Sequence, residues 1–123
     1  MSRKDQILSL LQDNPTDSFL LFALAKEHEQ AGEDAGAKEV YESIVRQDPD
    51  YVGTYYHLGK LLEKLDQPEA AISIYSEGIA VARRLGEKHA MRELMGARME
   101  LGGGVARLPP RSRSWTRYAL LGS

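Results

Sequence analysis

Apolar side chains recur along this chain in helical steps of three or four residues, and no segment shows the strict alternation of a half-buried strand. Ile7, Leu10 and Leu11 open the pattern. Leu21, Leu24 and Ala25 follow, then Val40, Tyr41 and Val45, then Tyr55, Leu58 and Leu62. Punctuation divides the pattern into six helices. The first runs from about Ser2 to Gln12 and stops before Asn14-Pro15, because the residue before proline avoids the helical region. The second runs from Asp17 or Ser18 to Ala31, with Asp17 as N-cap and Gly32 as its stop. The third covers Glu33 to Gln47 and ends before Asp48-Pro49; the fourth spans Tyr51 to Leu65. Pro68 opens the fifth, where its missing N–H costs nothing, and Gly86 breaks it after Leu85. A sixth covers Glu87 to Leu101 and ends at Gly102-Gly103-Gly104. The expected fold is all-α, with short connections that make neighbouring helices antiparallel.

The pattern also repeats. A shift of 34 residues places Pro15 on Pro49, Leu24 on Leu58, Lys26 on Lys60, Glu29 on Glu63, Ala37 on Ala71 and Tyr41 on Tyr75. Similar pairs fill the intervals: Leu21 with Tyr55, Phe22 with Tyr56, Ala25 with Gly59. Upstream, Ile7 falls on Tyr41, Leu10 on Ile44 and Leu11 on Val45, so the first helix reads as the second half of a unit whose first half is missing. Downstream the shift fails, since Pro49 would meet Arg83. The expected organisation is a half unit at 2–15, one unit at 16–49, another at 50–85, and a capping helix at 87–101.

The period and these residues resemble the tetratricopeptide repeat family, in particular its small, stand-alone bacterial members. Tyr55-x2-Leu58-Gly59-x2-Leu62 with Ala71-x3-Tyr75 carries the resemblance in the second unit. Leu21-x2-Leu24-Ala25-x2-His28 with Ala37-x3-Tyr41 and Pro49 carries it in the first. The resemblance implies an α-solenoid of helix-turn-helix units. In such units Ala25, Gly59, Ala37 and Ala71 let helices cross closely, while Leu24, Leu58, Tyr41 and Tyr75 fill the space beside them. It also implies a concave groove lined by the first helices, which holds an extended peptide or a partner's helix. Carried over by position, the groove residues are Phe19, Phe22, Ala23, Lys26 and Glu29, then Gly53, Tyr56, His57, Lys60 and Glu63. Phe22 and Tyr56 would bury an apolar side chain, and Lys26 and Lys60 would hold a carboxylate or phosphate. Some relatives grip acidic C-terminal tails with a clamp that needs three units and Asn at the places of Ala23 and His57, so that specificity does not carry over. Two full units fall below the usual minimum of about three. The terminal helices are therefore expected to act as caps, with pairing between chains, a homodimer for instance, as the alternative. Met91, Met95 and Met99 form a stripe on the sixth helix that is expected to pack on the fifth as ordinary core; the other reading is an adaptable contact surface.

Charge sharpens the division of the chain. Its 123 residues carry a net charge of -2. Residues 1–101 hold 12 basic and 18 acidic side chains; residues 102–123 hold four Arg and no acid. An acidic array thus precedes a basic tail, Leu108-Pro109-Pro110-Arg111-Ser112-Arg113-Ser114-Trp115-Thr116-Arg117-Tyr118, which composition predicts to be disordered. Its arginines and aromatics could contact single-stranded nucleic acid weakly, but an acidic main body disfavours nucleic acid as the chain's partner. The absence of Cys excludes disulfides and thiolate sites. The longest apolar run, Phe19 to Ala25, is seven residues and too short for a membrane span. The N-terminus lacks the apolar stretch of a secretory signal, which together predicts a cytoplasmic protein. No catalytic constellation emerges. His28-Glu29 lacks a second His four residues on, and His28, His57 and His89 occupy unequal places in the repeat. The glycines at 102–104 lack a following Lys-Ser/Thr. No cofactor and no enzymatic activity are expected. The sequence reads as a scaffold for a protein or peptide partner, with self-association as the second reading.

Overall fold

A computed structural model describes residues 2–102. Six helices follow one another: α1 (Arg3–Asp13), α2 (Ser18–Gln30), α3 (Asp34–Gln47), α4 (Gly53–Lys64), α5 (Pro68–Leu85) and α6 (Lys88–Glu100). No strand occurs among the described residues. Within the expected tail only Gly102 is described; Arg107, Arg111, Arg113, Trp115, Arg117 and Tyr118 lie outside the described residues, and so do the readings attached to them.

Local chemistry sets the ends of the helices. The Asp17 carboxylate accepts from the Leu20 N–H at 3.0 Å and caps α2. Gly32 takes φ +77° after α2, where the Glu33 N–H donates to the His28 carbonyl at 2.8 Å and closes the turn. Asp66 holds the matching place after α4 at φ +60°, with Gln67 N–H donating to Leu62 O at 2.8 Å. Gly86, at φ +74°, ends α5. The chain enters α4 at Gly53, two residues later than its spacing predicts. Pro49 starts a turn in which Tyr51 N–H donates to Asp48 O, and Thr54 N–H to Tyr51 O, before the helical ladder begins.

The pairs α2–α3 and α4–α5 pack antiparallel along a continuous core. Leu24, Ala25, Ala37, Tyr41, Tyr55, Leu58, Gly59, Ala71 and Tyr75 are all buried, as expected of packing positions. Pro49 is the exception. Its ring is exposed and its carbonyl contributes instead, accepting from the Tyr55 hydroxyl at 2.6 Å. The small residues act through distance. A Cβ at Gly59 would lie 2.1 Å from Tyr75 Cε1, and one at Gly78 would lie 2.5 Å from Tyr55 Cβ. Helix α1 covers α2 through Ile7 and Leu11, which cluster with Leu24. Two exposed ion pairs tie the same end, Arg3–Glu27 and Lys4–Glu33, each at 2.9 Å.

The methionine stripe of α6 divides. Leu94 and Ala97 enter the core, and Met91 packs partly against it. Met95 and Met99 stay exposed, at 37% and 58%. The expectation that the whole stripe is core fails for a geometric reason: Leu94 and Ala97 already fill the face toward α4 and α5, and Met95 and Met99 lie on a different side of the helix.

Candidate partner-binding groove

The first helices α2 and α4 bring together Phe22, Lys26, Tyr56, His57 and Lys60 of the expected groove residues. Phe22 is at the centre of this set. Its ring makes edge contacts with Tyr41 (5.7 Å between centroids) and His57 (5.1 Å), and a tilted one with Tyr51 (5.9 Å). His57 stacks at 6.4 Å on Tyr41 and meets Tyr56 edge-on at 5.7 Å. Offset and edge arrangements at these separations are the favourable ones for aromatic pairs. The ring cluster therefore bridges α2 and α4 and fixes the floor between them.

Two cations flank it. Lys60 Nζ lies 5.9 Å from the Tyr56 ring centroid. Lys26 Nζ lies 3.4 Å from His57 Nδ1, where it can donate to the neutral imidazole. Burial pushes the His57 pKa down from its ordinary value, and the Lys26 ammonium pushes it further. The unfolded chain then takes up a proton on this ring that the folded chain resists. Stability from this residue is full above about pH 6.5 and is lost as pH falls below it. In urea titrations at pH 7.5 and 5.5, His57→Gln is expected to show a smaller loss on acidification than the native chain. An equal loss in both would place the acid sensitivity elsewhere.

Glu29 and Glu63 are engaged otherwise than their position suggests. Glu29 accepts from the Tyr41 hydroxyl and Glu63 from the Tyr75 hydroxyl, each on the paired second helix. Burial first, and these carboxylates second, push both phenols well above the ordinary tyrosine range. Lys60 lies 3.8 Å from Glu63, so that carboxylate is shared. The two glutamates thus lock each helix pair internally, each through one carboxylate oxygen.

Phe19 stands apart from the ring cluster. It is 70% exposed and lines an open pocket of about 530 Å³ with Phe22, Ala23 and Lys26, bounded by Arg3 and Glu27. At the opposite end, Tyr56 and Lys60 face Arg92, Glu93, Gly96 and Glu100 of α6 across a second pocket of about 190 Å³. Those α6 residues escaped the sequence reading because the 34-residue shift fails there. A shift of 36 would have found them. It lays Gly53–Lys64 over residues 89–100 and sets Leu58 on Leu94 and Leu61 on Ala97, all four buried. Tyr51 had no such signal, since its repeat partner is Asp17.

The three histidines do not converge. His28 Nδ1 pairs with Glu33 at 2.8 Å, and His89 with Glu93 at 3.3 Å. Among the described residues no group of three His, Asp or Glu side chains is placed to hold a metal ion, and no helix is long and apolar enough to cross a membrane.

Comparison with known proteins agrees with this architecture. Tetratricopeptide repeat family models match residues 18–61 and 52–93. The crystal structure of a tetratricopeptide repeat domain protein from Salinibacter ruber is 46% identical, with a TM-score of 0.67, covering 71% of this chain and 97% of that one. A solution NMR structure of a tetratricopeptide repeat domain protein from the same organism is 46% identical, with a TM-score of 0.69, covering 72% and 90%. No curated protein matches.

Proposed function

Since the chain belongs to the tetratricopeptide repeat family, whose repeats generally mediate protein–protein interaction, we propose that it is a scaffold that binds a peptide or helix along the face shared by α2, α4 and α6. The observation that carries this reading is the ring cluster of Phe22, His57 and Tyr56 with Lys26 and Lys60 at its flanks. Rigid aromatic surface beside a cation is the composition of an interaction hot spot. Phe22 and Tyr56 supply apolar area, and each is only half-buried. Lys60 and Lys26 supply donors for an acidic group on the partner. The scaffold needs no catalytic step, and family members of this kind are generally non-catalytic.

Affinity capture with the native chain and with Phe22→Ala/Tyr56→Ala tests the assignment. Bound proteins are expected to be lost from the double variant while its helical circular dichroism is retained. A hot-spot truncation costs roughly 2 kcal/mol or more, which lowers affinity at least about thirtyfold. The same captured proteins at the same yield in both samples would place the binding surface elsewhere.

A further inference from the structure

Glycine inside a helix is less stable than alanine, so each one asks for a reason. Gly59 and Gly78 have theirs: a Cβ at either would strike a tyrosine of the paired helix. At Gly36 a Cβ would press on the His28 ring at 3.2 Å. Gly96, in the middle of α6, differs. Nothing among the described residues lies within 4 Å of the Cβ it lacks. The shift of 36 residues sets Gly96 on Lys60, and the shift of 34 sets Lys60 on Lys26. The two earlier first helices thus carry a long side chain at the place where α6 carries none. Local choices that cost stability without a packing reason mark functional positions.

The missing side chain leaves room in the pocket between α4 and α6. Tyr56 stands on one wall, Gly96 and the buried Ala97 on the other. The pocket measures about 190 Å³. A cavity of about 150 Å³ can hold one benzene molecule, so the space suits a single six-membered ring.

The chemistry of the walls points the same way. Phe22, His57 and Tyr56 form a chain of edge contacts, with centroids 5.1 and 5.7 Å apart, that leads across the groove to this pocket. A further ring on Tyr56 would extend that chain in a favourable geometry. Lys60 and Arg92 bring two positive charges to the pocket, and Glu93 and Glu100 bring two negative ones. A guest of either charge would meet a like charge as well as an opposite one. A neutral ring meets no such conflict. Its faces attract the cations, and its electropositive edge attracts the carboxylates.

We propose that this pocket receives one aromatic side chain, phenylalanine or tyrosine, of the peptide bound in the groove. The inference rests on the groove reading and adds the residue that the partner must carry. Gly96 serves as the gap through which the ring reaches Tyr56.

A phage-displayed library of random peptides, selected against the native chain, supplies the probe. The enriched peptides are synthesised with a fluorescent label and their binding is measured by anisotropy. Phe or Tyr is expected at one fixed position. Alanine at that position is expected to weaken binding to the native chain at least about tenfold. Gly96→Leu, which fills the pocket from an exposed helical position, is expected to weaken the aromatic peptide by a similar factor with helical circular dichroism retained. It is expected to bind the alanine peptide as the native chain does. Gly96→Ala, a smaller filling, is expected to fall between. Enriched peptides without a fixed aromatic would overturn the subsite. So would an aromatic peptide bound equally by the native chain and both Gly96 variants. If those peptides are still lost on Phe22→Ala/Tyr56→Ala, the groove itself stands. Peptides that survive every change, or a library that yields none, would overturn the groove and the subsite together.

Discussion

Gly59→Ala is expected to destabilise the fold, although glycine-to-alanine exchange in a helix interior normally stabilises by about 1 kcal/mol. The reason is the crossing of α4 and α5. The new Cβ would sit 2.1 Å from Tyr75 Cε1 and 2.6 Å from its Cζ. The ring cannot swing aside, because it is fully buried and its hydroxyl is held by Glu63. The helices must separate or the ring must leave its rotamer, an overpacking cost of about 1–3 kcal/mol. For a domain of this size each kcal/mol lowers Tm by roughly 4–8 °C. Gly96→Ala is the control. It has no neighbour within 4 Å, and it is expected to follow propensity and gain stability. Thermal unfolding followed by circular dichroism compares the three chains. A Gly59→Ala variant at least as stable as the native chain would show that the helix crossing yields to a methyl group.

Much of this packing was legible in the sequence because it rests on period and punctuation. Pro15, Pro49 and Pro68 interrupt or open helices for local steric reasons, and Gly32 and Gly86 take backbone angles that side chains disfavour. Those signals act within a few residues, so the ends of α1, α2, α3 and α5 came out close to their places. The small-on-large pairs were legible for a related reason: Ala25 with Tyr41 and Gly59 with Tyr75 recur at one interval, and only close helix crossings explain the pairing.

What escaped was set by direction around a helix. The repeat positions of Glu29 and Glu63 group them with Lys26 and Lys60, but the side chains turn to the tyrosine hydroxyls of the neighbouring helix. The sequence carries the donor and the acceptor twelve residues apart in each unit without saying that they meet. The methionines of α6 share one stripe by spacing, yet Leu94 and Ala97 take the core and leave Met95 and Met99 outside. His57 gave no hint of its surroundings. Its lowered pKa comes from rings and an ammonium supplied by α2 and α3, elements distant in sequence. Local chemistry fixes the elements, while the candidate site depends on how pairs of elements face each other.

Tyr75→Ala is expected to have the largest single effect. It removes a fully buried ring from the centre of the α4–α5 pair and leaves a cavity, a loss of about 3–5 kcal/mol. Against a total stability of about 5–15 kcal/mol, that brings the chain near its unfolding threshold. Tyr75→Phe separates the hydroxyl from the ring. It keeps the packing but deprives the Glu63 carboxylate of its donor. Lys60 at 3.8 Å and partial solvent access remain to Glu63, so the cost falls at the low end of about 1.5–3 kcal/mol. The two sites couple through one contact, which yields a sharper test than either alone. In the Tyr75→Ala background the ring nearest the Gly59 Cβ is gone, so Gly59→Ala is expected to change sign and stabilise by about 1 kcal/mol. Direct contacts of this kind produce interaction energies of about 0.5–3 kcal/mol in double-mutant cycles. Urea unfolding of the four chains measures the cycle. If Gly59→Ala costs the same with and without the Tyr75 ring, the ring is not what excludes a side chain at position 59, and the backbone approach of α4 to α5 must be the cause.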